Sequence, residues 1–209
     1  MRFVDLSHTI TDGLVTYRGL PPPKITSWLS YEASRARYGG VAEFRINSVE
    51  ILANTGTYLD APSHRVAGGD DVAAIPLESV AALPAIVIDH GEDVTRFDVA
   101  GRAVLIRTNW SQHWGSEAYF DNSPFITKPE AEHLAKSGAK LVGIDSLNID
   151  DTTDLSRPAH TILLQNNVLV LEHLTNLNLL PREGFELFAV PPKLKGMDTF
   201  TVRAFALFR

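Results

Sequence analysis

Between Asn54 and Arg65 the chain reads NTGTYLDAPSHR, which places the carboxylate of Asp60 and the imidazole of His64 in a stretch that follows neither a helical nor a strand period. Two more groups able to bind a metal stand at comparable places. His160 follows RPA, where Pro158 keeps the preceding segment non-helical, and Glu172 closes the apolar run VLVLE. A carboxylate in that position is costly if buried without a partner, so it should face a cation or solvent. Asp60, Glu172, His64 and His160 together would suit a divalent ion such as zinc or manganese. Each also has a plainer use. Asp60 could cap a turn stiffened by Pro62, Glu172 could be a surface charge, His64 a hydrogen-bonded residue and His160 a cap. Spacing alone does not bring the four together.

The elements that would have to position them are readable in outline. RFVDLSHTI reads as an edge or pairing strand, and Pro21, Pro22 and Pro23 enforce an extended connector after it. A helix or irregular segment over 29–38 ends near Gly39 and Gly40, and AEFRINSVEIL alternates as a strand that runs straight into the motif. A short helix is expected over 77–82. PAIVIDH, GRAVLIRTNW and KLVGIDS read as buried strands. KPEAEHLAKSG carries both helix signals, Pro129 near its start and Gly138 as its stop. Strand, helix, strand implies a parallel crossover and hence an α/β fold. HTILLQNNVLVLEHLTNL holds a short helix and the strand VLVLE, and FELFAVPPKL and FTVRAFALF add strands. The expected layout is one domain over 1–209, a mixed, barrel-like sheet flanked by a few helices.

Composition narrows the function classes. The 209 residues carry a formal net charge of −6 and a pI of about 5.6, with no Lys/Arg cluster, which argues against a nucleic-acid partner. The absence of cysteine excludes disulfides and thiolate chemistry, leaving His and carboxylate as metal ligands. MRFVDLSHTI lacks a basic region followed by a long apolar run, and no apolar stretch approaches the roughly 18–20 residues of a membrane span. A cytoplasmic protein without a membrane partner is the expectation. Asp150, Asp151 and Asp154 in NIDDTTD lack the central Gly and terminal Glu of a calcium loop and read as a solvated acidic turn. Trp28 and Trp110, with Phe44 and Trp114, are candidates for the floor of an aromatic-substrate pocket, a use with which core packing competes.

The chain resembles the cyclase family of metal-dependent hydrolases, which includes bacterial-type kynurenine formamidases and isatin hydrolases. The family pattern His-x-Gly-Thr-His-x-Asp-x-Pro-x-His stands here as Asn54-Thr55-Gly56-Thr57-Tyr58-Leu59-Asp60-Ala61-Pro62-Ser63-His64. Similarity continues through DLSHTITDG, LIRTNW, KLVGIDSLNID, RPAHTILLQNNVLVLEHLTNL and AVPPKLKGMDTFTVRAFA. The resemblance implies a swivelling β/β/α fold, assembly as a homo-oligomer, and metal held by the motif's first two histidines and its Asp. A later His and Glu complete a second site, and the last motif His moves a proton. Asp60, His64, His160 and Glu172 match those positions, whereas Asn54 and Tyr58 stand where the first two histidines belong.

Three outcomes follow from that departure. One divalent ion, zinc or manganese, survives on Asp60, His160 and Glu172, with His64 a ligand or the nearby base. Alternatively His64 acts without metal while Tyr58 or Asn54 donates to an oxyanion, or the protein binds a small molecule without turning it over. The first is favoured. It makes the protein a hydrolase of a small amide, an arylformamide or a cyclic amide or lactone. A cyclase or dehydratase in which His64 abstracts a carbon-bound proton is the alternative chemistry.

Overall fold

Four apolar runs in the middle of the chain form the parallel part of one large sheet. The computed structural model describes residues 1–208. In chain order its elements are β1 (Arg2–Asp5), β2 (Lys24–Leu29), α1 (Tyr31–Arg37), β3 (Ile46–Glu50), β4 (Tyr58–Asp60), β5 (Leu83–Asp89) and β6 (Ala103–Arg107). They continue as α2 (Lys128–Lys136), β7 (Leu141–Ile144), α3 (Pro158–Gln165), β8 (Leu169–Glu172), β9 (Phe185–Phe188), β10 (Thr199–Thr201) and β11 (Phe205–Phe208). Strands β5, β6, β7 and β8 pair in parallel, and α2 and α3 make the crossovers on either side of β7. The full order is β1-β11-β9-β5-β6-β7-β8-β4-β10, with antiparallel wings on both sides of the parallel centre.

Alternation along the central strands divides the core in two. Ala103 and Leu105 of β6 join one apolar cluster, while Val104 and Ile106 join the other against Leu134 of α2 and Leu163 of α3. The first cluster also takes Val4 from edge strand β1 and Leu59 from β4, near the opposite edge. Residues so far apart in the strand order meet only because the sheet curls around them, and the result is a half-barrel. Gly143 sits at the tightest point of that interior. A Cβ there would stand 2.8 Å from side-chain carbons of both Leu105 and Leu174.

The expected α2 is present with a full capping box between Thr127 and Glu130. The helix expected over 77–82 is a single 3₁₀ turn, Leu77–Ser79, and KITSWL, which the sequence splits between the extended connector and the start of the segment over 29–38, forms β2. The alternation in AEFRINSVEIL predicts one buried face, yet β3 pairs only with β2, and every residue of these two strands except Leu29 is exposed. Its pattern is a real strand signal without a core to face. Among the described residues no helix is long and apolar enough to cross a membrane.

Candidate active site

The motif is built by one turn and two strand registers. Gly56 adopts φ +66°, and a Cβ there would meet Ile10 at 2.8 Å. The turn releases the chain into β4, where Tyr58 and Asp60 share one face while Leu59 enters the core. Pairing with β8 sets Tyr58 opposite Glu172, and pairing with β10 sets Asp60 opposite Thr199. Pro62 then starts a 3₁₀ turn, Pro62–His64, that brings His64 back toward the same face.

His160, in the first turn of α3, is the centre of the arrangement. Its Nδ1 lies 2.7 Å from Asp150 Oδ2, and its Nε2 is 3.5 Å from both Asp60 Oδ2 and Glu172 Oε1. All four of these side chains are buried. Burial disfavours a charged imidazole, but Glu172, Asp150 and Asp60 outweigh it and raise the His160 pKa well above 6.5. Burial likewise opposes charge on Asp150. Hydrogen bonds from the His160 ring and from the His160 and Ala159 backbone N–H groups nevertheless hold its pKa below the usual carboxylate range.

The tautomer of His64 follows from its neighbour. The Thr199 hydroxyl donates to Asp60 Oδ1. With its only hydrogen used there, Thr199 can only accept from His64 Nδ1, 3.3 Å away. In its neutral form His64 therefore carries its proton on Nδ1 and a lone pair on Nε2.

These features fit a divalent cation. Asp60 Oδ2 is buried with no hydrogen-bond partner. Asp60, His64 and His160 each offer a ligand atom, and those atoms lie within 4.8 Å of one another. Asp150 behind His160 supplies the carboxylate that commonly orients a metal-bound imidazole. The cleft over the cluster has a volume of about 220 Å³ and is lined by Tyr17, Asn54, Tyr58 and His64, among others. Larger clefts beside Arg102 and beside His8 gather no comparable set of carboxylates and imidazoles.

Residues 4–151 match the family model described as "Putative cyclase". The chain belongs to that family. A kynurenine formamidase of Salinibacter ruber is 30% identical across 98% of this chain and 96% of its own length. One from Bacillus cytotoxicus is 29% identical across 97% and 95%. Among solved structures, isatin hydrolase A from Ralstonia solanacearum superposes with a TM-score of 0.81 at 28% identity, covering 100% of this chain and 92% of that one. A potential metal-dependent hydrolase with cyclase activity gives 0.80 at 26%, covering 100% and 98%.

The cyclase-family chain brings some expected residues together and separates others. Asp60, His64 and His160 converge, but Glu172 approaches only His160. Its Oε2 accepts from the Tyr58 hydroxyl and its Oε1 from the Ile149 backbone N–H at 2.6 Å. Tyr58 is expected to donate to substrate, yet its one proton is directed at Glu172. Burial first, then the Glu172 charge, push its hydroxyl well above the usual phenol range, so it stays a neutral donor. Asn54 lines the cleft, and its carboxamide makes no protein hydrogen bond.

Neither Trp28 nor Trp110 is among the residues lining this cleft. Trp28 lies on the exposed hairpin, 66% exposed, with the Arg37 guanidinium 6.0 Å from its ring. Trp110 donates its indole N–H to the Tyr119 carbonyl at 3.0 Å and packs on His113. Several residues of the site were not candidates in the sequence, among them Asp150, Thr199, Tyr17, Arg65, Asn148 and Arg157. Asp150, read as part of a solvated acidic turn, is 1% exposed. Its neighbours Asp151 and Asp154 do form the exposed Asx turns that reading describes.

Proposed function

We propose that the chain hydrolyses a small amide, with an arylformamide as the substrate class its relatives support best. The carrying observation is that His64 lines the same small cleft as His160 and Glu172, with its Nδ1 against Thr199 and its ligand-competent atoms within 4.8 Å of those of Asp60 and His160. A divalent cation, zinc or manganese by donor set, would be held by Asp60 and His160 with a third group from His64 or Glu172. When bound it would polarise the amide carbonyl and acidify water.

His64 Nε2 cannot hold a cation and accept a proton at the same moment. We assign it the proton, because it is the least buried member of the cluster and its ring is already oriented by Thr199. Glu172 Oε1, 3.5 Å from His160 Nε2, then takes the third position. In this reading His64 takes a proton from the attacking water at Nε2 and returns it to the leaving nitrogen. Asn54 donates its carboxamide N–H to the developing oxyanion. The His160 ring is kept in place by Asp150 and takes no proton from the reaction.

His64→Gln separates the two assignments. Turnover of an arylformamide should fall by about two orders of magnitude or more while zinc or manganese content stays at the wild-type level. Persistent turnover would refute the proton role. Loss of metal together with activity would make His64 a ligand instead.

A further inference from the structure

The structure assigns an anion-binding rim to the mouth of this cleft. We propose that Arg65 and Arg157, which line it together, receive a carboxylate carried by the substrate. The inference deepens the amide-hydrolase reading and rests on it for the identity of the reacting bond.

The arginines of this acidic chain are mostly partnered. Arg18, Arg35, Arg102, Arg107, Arg182 and Arg203 each pair with a carboxylate. Arg2, Arg37 and Arg45 lie over aromatic rings. Arg65, directly after His64, has neither kind of partner. Arg157 is half-buried and donates only one Nη1 hydrogen bond, 2.9 Å to the Asp151 carbonyl oxygen. An unpaired guanidinium in an open surface position needs no explanation. Exposed Arg65 and half-buried Arg157, the latter with most of its fork free, nevertheless stand together in the lining of the cleft that holds His160, in a protein of net charge −6.

The backbone supports this placement. Arg157 adopts φ 48° and ψ 60°, a left-handed conformation unfavourable for a residue with a Cβ. Glycine or asparagine would serve better there if the position only had to start α3. Arginine in that conformation instead lines the cleft alongside Arg65. A guanidinium presents donors in a planar fork matched to a carboxylate, and most of the Arg157 fork is unused. The modest volume of the cleft leaves room for a compact ligand, such as one ring bearing an amide and an acid.

The test uses 2- and 3-formamidobenzoate against the corresponding formamidobenzamides, which share the scissile bond and differ in charge. Wild type, R65Q, R157Q, R157K and R65Q/R157Q are assayed, with calorimetric titration of benzoate and benzamide alongside. At least one carboxylate isomer should be preferred by about ten- to hundredfold in kcat/KM, expressed mainly in KM. That preference should fall toward unity in R65Q/R157Q, recover in part in R157K and weaken with added salt. A wild type without preference, or a preference that survives in the double variant, overturns the proposal. If no formamide is cleaved but benzoate binds only when the two arginines are present, the rim stands and the hydrolase reading falls. Benzoate binding that does not depend on them refutes the rim whatever the assay gives.

Discussion

Asp60 and Glu172 both stand 3.5 Å from His160 Nε2, yet their surroundings differ. Each accepts a hydroxyl from the residue opposite it on the neighbouring strand, Thr199 for Asp60 and Tyr58 for Glu172. Glu172 receives a further donor on its other oxygen, the Ile149 backbone N–H, whereas Asp60 Oδ2 receives none. A buried carboxylate oxygen without a donor costs stability unless positive charge reaches it. The unfilled capacity of the site is therefore concentrated at Asp60. The His160 edge is common to both, and what distinguishes them is one backbone amide.

The largest way to break this asymmetry is to remove the Asp60 charge. Asp60→Asn keeps an oxygen for Thr199 and is close to isosteric, so the fold should survive. Its affinity for zinc or manganese, measured by equilibrium dialysis, should drop on the order of a hundred- to thousandfold, the scale of removing one member of a buried charge set. Wild-type affinity in this variant would show that the orphaned oxygen is not where the cation binds. Asp150→Asn acts one step further back, on the acceptor that orients His160. A loss of about ten- to hundredfold in metal affinity is expected, and an unchanged value would reduce Asp150 to a cap of α3.

Tyr58→Phe tests the other side by making Glu172 more like Asp60. Removing the hydroxyl strips Oε2 of its donor and takes a partner from Tyr17, whose hydroxyl lies 2.8 Å from that of Tyr58. Urea denaturation of the metal-free protein should show a loss of about 1–3 kcal/mol. Added zinc should recover more of that stability than it adds to the wild type, because Glu172 is then released toward the cation. Equal stabilisation of both proteins by zinc would mean that Tyr58 does not restrain Glu172.

Much of this site was legible in the sequence, for reasons that differ by residue. Asp60, His64 and Gly56 stand in one motif, and a reactive side chain beside a required glycine is a local signal. Glu172 stood out because a charge that closes an apolar run must meet something, and His160 because it follows the break at Pro158 and matches the family pattern. The central sheet was legible because β5, β6, β7 and β8 are buried on both faces and read as unbroken apolar runs. What escaped notice depends on long-range register. Nothing near Thr199 indicates that it pairs with Asp60, 139 residues away. Asp150 shares its acidic loop with half-buried Asp151 and exposed Asp154, and only the position of α3 selects it to face His160. A lone tryptophan such as Trp28 does not reveal in sequence whether its strand has a core beneath it, and β2 exposes every residue but Leu29.

The smallest effect should come from Thr199, and it separates the two services that hydroxyl performs. Thr199→Val keeps the shape and removes the donor to Asp60 Oδ1 together with the acceptor for His64 Nδ1. Losing one such hydrogen bond is worth about 1 kcal/mol, or roughly fivefold in an equilibrium or rate. If Thr199 mainly supports Asp60, the loss falls on metal affinity and the pH profile of kcat/KM keeps its shape. If it mainly sets the tautomer of His64, metal affinity holds while kcat drops. We expect the second result, with Thr199→Ser restoring the wild-type kcat, because Asp60 keeps its Oδ2 for a cation in either variant, whereas the His64 ring has no other hydrogen-bond partner to fix it.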